Sequence, residues 1–94
     1  MLFRSVDLYA AKSNELGDFL FLVECKKYAR TNPVQVDVVR ALYGNVQAKR
    51  ATAGVVVTTS TFTRGAKVFR NELRHQLDLR DYLSLRDWIS RVRG

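Results

Sequence analysis

Cysteine, histidine and acidic side chains are scarce in this chain. The 94 residues hold one Cys and one His, so no internal disulfide forms and no Cys/His cluster has the spacing of a zinc site. Cys25 is then expected as a small buried hydrophobe in a reducing cytoplasm. Long apolar runs are missing as well. None approaches the roughly 18 residues of a membrane span, and Met1 to Asp7 has no apolar signal core. A soluble cytoplasmic protein with no membrane partner is the expectation. No repeat, linker or low-complexity segment divides the sequence, so residues 1–94 read as one small domain with one core.

Acids number 9 against 16 Lys+Arg, for a net charge of +7 and a pI near 10.1. Eleven of the 16 bases are Arg, whose planar fork suits bidentate contact with phosphate. This balance points to a polyanion partner. Nucleic acid fits better than a membrane surface, because no basic amphipathic stretch with a wide apolar face stands alone. A merely soluble basic protein is the plainer alternative. Hydrophobic residues make up 47% of the chain, enough for a packed core and against wholesale disorder.

The chain is organised around Phe19-Leu20-Phe21-Leu22-Val23-Glu24-Cys25-Lys26-Lys27-Tyr28. Five apolar residues rich in Phe and Val predict a buried strand over 19–28. Side chains alternate along a strand, so Glu24 and Lys26 leave on one face and Cys25 on the other. Burying a carboxylate and an ammonium costs several kcal/mol unless they are paired or bind a cation. Residues 2–11 alternate loosely and predict a second strand, with a turn over 13–18. Centring that hairpin between Glu15 and Leu16 pairs residues whose numbers sum to 31. Leu8 then meets Val23, Ala10 meets Phe21, Val6 meets Cys25, and Asp7 lands opposite Glu24. Two carboxylates placed so close repel unless a cation bridges them or one takes a proton.

Beyond Pro33, Val36, Val39, Leu42, Tyr43 and Val46 keep helical period over 34–50. Gly44 inside that helix suggests close packing on the sheet. Residues 53–60 predict a second buried strand, and strand–helix–strand implies parallel pairing with 19–28. A helix follows to about residue 75, with Phe62, Ala66, Phe69 and Leu73 inward and Lys67, Arg70 and Arg74 on another face. Leu77 to Leu79 predicts a short strand. Asp81 can cap a last helix whose Tyr82, Leu85, Trp88, Ile89 and Val92 face the core.

Asp7, Glu24 and Lys26 on one face suit metal-assisted phosphodiester hydrolysis. Carboxylate oxygens hold Mg²⁺, which lowers the pKa of a bound water and neutralises phosphate charge. An ammonium beside it stabilises the pentavalent transition state or positions the water. Lys27, Arg30 and Arg40 are the candidate DNA-binding residues, being next to that triad in sequence or on the following helix. Plainer roles stand beside these. Glu24 and Lys26 can be a structural pair, and the Thr58 to Thr63 hydroxyls are better explained by helix capping than by phosphate contact. Lys67, Arg70 and Arg74 fit a solvated helix face equally well. His75 suits a helix end, and Tyr28 and Tyr43 suit packing with wet hydroxyls.

The ordered series Asp7, Val23-Glu24-Cys25-Lys26-Lys27-Tyr28, Val38 to Gly44, Gly54 to Ser60, Phe62-Thr63 and Ala66 resembles the Mrr-like restriction endonuclease domain. That domain belongs to the PD-(D/E)xK nuclease superfamily. The resemblance implies an α/β restriction-endonuclease-like core, a mixed β-sheet flanked by helices, cutting DNA with Mg²⁺ or Mn²⁺. It also implies that Asp7 and Glu24 ligate the metal with the Cys25 carbonyl, and that Lys26 is the catalytic lysine. In the family a helix precedes the aspartate and often supplies an acid, whereas six residues precede Asp7 here. The expectation is an N-terminally short core, active or surviving as a non-catalytic DNA-binding or interaction remnant. Apolar side chains on both faces of the hairpin further predict a homodimer or higher oligomer.

Overall fold

Period-two alternation from residue 19 to residue 26 places Leu20, Leu22, Glu24 and Lys26 on one sheet face, and that face becomes the covered one. The computed structural model describes residues 8–14 and 17–93. Strand β1 (Leu8–Asn14) and strand β2 (Gly17–Lys26) form an antiparallel hairpin. Helix α1 (Val36–Ala48) crosses to β3 (Ala53–Thr58), and α2 (Arg64–Glu72) crosses to β4 (Leu77–Arg80). Helix α3 (Tyr82–Arg93) follows. The strand order is β1-β2-β3-β4, with β2, β3 and β4 mutually parallel and β1 antiparallel to β2. This is the expected mixed α/β sheet. Each crossover steps one strand in the same direction, and crossovers of one hand then lay both helices on the same face.

Register follows the sum of 31, with Leu8 opposite Val23 and Ala10 opposite Phe21. The pairs Val6–Cys25 and Asp7–Glu24 lie outside the described residues. Pairing continues through Ser13–Asp18 to Asn14–Gly17, so the strands consume most of the segment expected to be a turn. At its other end β2 stops at Lys26 and not at Tyr28.

The core lies between the sheet and α1/α2. Leu22, Val39, Leu42, Val46, Val56 and Ala66 are buried, with Phe62 and Leu77 at its margin. Phe62 is held there by a parallel bridge to Val34. Tyr43 and Phe69 meet edge-on across the two helices, centroids 6.1 Å apart. Thr63 caps α2, its Oγ1 accepting from Ala66 N at 3.2 Å, and Asp81 caps α3 as expected, accepting from Ser84 N at 2.9 Å. Helix α1 ends with Ala51 N donating to Val46 O and Arg50 N donating to Gln47 O. Arg50 at φ 53° takes the left-handed position there, which glycine usually fills.

The opposite sheet face is covered only in part. Val23, Val55 and Val57 floor a cavity of about 420 Å³ closed by Arg80, Ser84, Leu85 and Arg91, which places α3 over this side. Phe21 stays 37% exposed, and stacks against Phe19 at 6.5 Å. Three sequence expectations fail here. Cys25 is exposed, because its face is the half-covered one. Ile89 is 46% exposed, because α3 turns it away from the sheet. Gly44 is exposed and has open space around it; the close approach is at Gly54, where an added Cβ would lie 2.8 Å from Val46 Cγ2 and 3.0 Å from Leu42. Helical period could not distinguish a glycine tolerated on the outside from one required underneath.

That reversal gives an opposed pair of outcomes. Gly44→Ala is expected to stabilise the fold by about 1 kcal/mol, by removing backbone entropy from the unfolded chain. Gly54→Ala is expected to destabilise it by about 1–3 kcal/mol, through overpacking against α1. Urea titration of both variants checks the signs.

Candidate active site

Glu24 and Lys26 reach the covered face from the last turns of β2's pleat, paired across to Val56 and Thr58 of β3. Glu24 is 2% exposed. Lys26 Nζ lies 3.5 Å from Glu24 Oε1, with its side chain 17% exposed. The carboxylate is thus buried beside apolar Val56, and the ammonium sits at the boundary with water. An ion pair in this position gives little net stability, because desolvation offsets most of the attraction. What it supplies is a fixed anion and a fixed cation side by side at a strand end, suited to acting on a third charged group.

The chain leaving this pair is tied down by consecutive hydroxyls at the end of β3. Thr58 Oγ1 donates to Lys26 O at 2.7 Å, Thr59 Oγ1 to Tyr28 O at 2.8 Å, and Ser60 Oγ to Asn32 O at 2.9 Å. Thr58 and Ser60 are buried. Helix capping therefore accounts for Thr63 alone, and Thr58, Thr59 and Ser60 have a tethering role the sequence reading missed. Their signal was present as a run of hydroxyl residues continuing past the apolar strand. The tethered loop opens a polar cleft of about 220 Å³ lined by Tyr28, Asn32, Pro33, Gln35 and Asp37. The larger cavities lie on the half-covered face, opposite the Glu24–Lys26 side, and reflect the thin cover there.

The remaining candidates are placed as follows. Lys27 is exposed on the loop. Arg30 is exposed on it too, its guanidinium 4.0 Å from the centre of the Tyr82 ring, a cation–π contact to α3. Arg40 is exposed on α1, 5.6 Å over the Phe69 ring of α2. Arg70 pairs with Asp78 at 3.6 Å and Arg80 pairs with it at 2.8 Å. Arg74 and His75 lie beyond the end of α2, lining a second cavity with Gln76 and Asp78. Asp7 lies outside the described residues. Among the described residues no three His, Cys, Asp or Glu side chains cluster to hold a metal ion. Glu24 and the Cys25 carbonyl are hard oxygen donors, the type a divalent cation such as Mg²⁺ accepts.

The mixed sheet with its crossover helices on one face matches the fold of solved restriction endonucleases. Two solved structures share it. The DNA modification-dependent restriction endonuclease AspBHI is 26% identical with a TM-score of 0.67, over 81% of this chain and 20% of that one. The MspJI restriction endonuclease, solved in complex with a 27-mer oligonucleotide, is 23% identical with a TM-score of 0.71, over 86% of this chain and 19% of its own. The chain thus spans about a fifth of the length of these structures. No curated protein matches it. The family profile Mrr_cat, a restriction endonuclease, matches residues 4–89, and the chain belongs to that family.

The Glu24–Lys26 contact has a measurable consequence. A double-mutant cycle on Glu24→Gln and Lys26→Met is expected to return a coupling of about 1 kcal/mol or more in chemical denaturation. A coupling indistinguishable from zero would mean the two charges are held together by the backbone alone.

Proposed function

We propose that this chain is the catalytic core of a metal-dependent DNA endonuclease. The observation that carries the proposal is the buried Glu24 carboxylate 3.5 Å from Lys26 Nζ, in a chain of the restriction endonuclease family. Asp7 and Glu24, with the Cys25 carbonyl, are the proposed holders of Mg²⁺ or Mn²⁺. The described pairs, from Leu8–Val23 to Asn14–Gly17, keep the sum of 31 on which the expectation for Asp7 rests. The bound metal would supply Lewis-acid stabilisation of the phosphate and a water of lowered pKa. Lys26 offers an ammonium beside that site to orient water and to balance charge developing on phosphorus oxygens. Lys27, Arg30 and Arg40 are the proposed phosphate contacts, consistent with the +7 net charge. DNA is therefore the proposed partner and the cytoplasm the proposed location.

Self-association belongs to the same reading. Phe21, Leu83 and Ile89 are exposed, and among the described residues β1 is an edge strand with one neighbour. A two-fold dimer would bring two single-strand cutting sites to one duplex. Light scattering at micromolar concentration is expected to show the dimer, and a stable monomer would remove it.

Plasmid cleavage tests the activity. With Mg²⁺ or Mn²⁺ the protein is expected to nick or linearise DNA, and Glu24→Ala and Lys26→Ala are each expected to lower the rate by at least about 10²-fold. Cleavage surviving both substitutions points to a contaminant. Salt-sensitive DNA binding without cleavage points instead to a binding remnant of the nuclease.

A further inference from the structure

The three hydroxyls at the end of β3 form an unusual extension of the sheet. Backbone pairing between β2 and β3 ends at Lys26–Thr58. Past that point the chain of β2 runs irregularly to the Val34–Phe62 bridge. Over this gap Thr58, Thr59 and Ser60 reach the carbonyls of residues 26, 28 and 32 in step, and Ser60 Oγ also lies 3.4 Å from Arg30 O. Side-chain donors thus carry the ladder on from its last backbone bond, Thr59 N to Lys26 O at 3.4 Å, whose acceptor Thr58 Oγ1 shares. The row is braced internally, because Thr58 Oγ1 accepts from Ser60 N at 3.1 Å. It is braced externally where Tyr82 N donates to Ser60 O at 3.0 Å, and Tyr82 is the ring under Arg30. Thr58 is 1% exposed and Ser60 0%, so water cannot easily replace their hydroxyls.

Resting on the nuclease reading above, we propose that Thr58, Thr59 and Ser60 are positioning residues that divide the labour of the site. Thr58 holds the Lys26 carbonyl and so sets where the lysine stands relative to Glu24. Thr59 and Ser60 hold the loop that presents Lys27 and Arg30, and so set the groove for the phosphate backbone. Such a division follows from the order of contacts along the row. A small displacement of a reacting group costs rate, while a loosened binding loop costs affinity.

Steady-state cleavage and amide hydrogen exchange, both on the full chain, test this. Thr58→Val is expected to lower kcat about tenfold or more with KM within about twofold, and Thr58→Ser to restore kcat, since it keeps the hydroxyl. Ser60→Ala and Thr59→Val are expected to raise KM several-fold, on the order of 3–10, with kcat little changed. All three hydroxyl-removing variants are expected to speed exchange at amides 27–32 by about tenfold, with Thr58→Ser near wild type. Thr59 is exposed, so Thr59→Val carries the loop test even if Thr58→Val does not fold. The proposal is overturned if exchange at 27–32 is unchanged in Thr59→Val and Ser60→Ala. It is also overturned if Thr58→Ser is as impaired as Thr58→Val, or if every variant loses kcat and KM in proportion to lost melting temperature. Should the wild-type chain cut no DNA, the nuclease reading fails while the exchange measurements still decide whether the hydroxyls hold the loop.

Discussion

A carboxylate 2% exposed at the end of an apolar strand is the constraint on which the structure turns. Glu24 cannot be placed there by a strand free to slide. A one-residue slip of β2 would send Glu24 and Lys26 to the half-covered face and bring Cys25 beneath the helices. What prevents the slip is the double pairing of β2, antiparallel to β1 and parallel to β3, together with Leu22 locked among Val39, Leu42 and Val56. The core is thus less an end in itself than the jig that fixes one acid and one base in a low-dielectric setting. There the attraction is strong, and so is the cost of leaving either charge uncompensated.

The two faces of the sheet are unequal for a topological reason. Both parallel crossovers step in the same direction, so α1 and α2 share one face. Among the described residues only α3 remains for the other, and its twelve residues do not cover four strands. Phe21 exposed at 37% and cavities flanked by Val55 are the result. The same inequality explains why Cys25 is exposed while Glu24, its neighbour, is buried. An apolar strand whose polar residues face inward and whose apolar ones face partly outward reverses the usual economy of a sheet, and such reversals are expected at functional sites.

Electrostatics and local hydrogen bonding cooperate at the strand end. Beyond Lys26 the backbone leaves the sheet, and its carbonyls need donors. The hydroxyls of 58–60 meet that need from one side, and the Arg30–Tyr82 contact holds the loop from the other. The basic side chains of the loop are thereby presented on a constrained backbone. Charge presented on a fixed frame would cost less ordering entropy in the DNA contact proposed above.

Much of this was legible in the sequence because it is local. Period-two alternation placed Glu24 and Lys26 on one face, and period 3.6 located α1 with Val39, Leu42 and Val46 inward. Turn position set the hairpin register, and the ordered motif series identified the family that the profile and the fold bear out. Other features depend on which face another element covers, and no local period encodes that. Cys25 and Ile89 fall on exposed sides for that reason, and the tight glycine is Gly54 under α1, not Gly44 within it. The hydroxyl run at 58–60 was visible as composition, but its partners lie about thirty residues away in the chain. Sequence alone determined the strand, its charged pair and the helices that cross from it, since these follow from spacing along the backbone. Tertiary structure decided burial and partnership, since a side chain's surroundings depend on segments brought beside it only when the sheet closes.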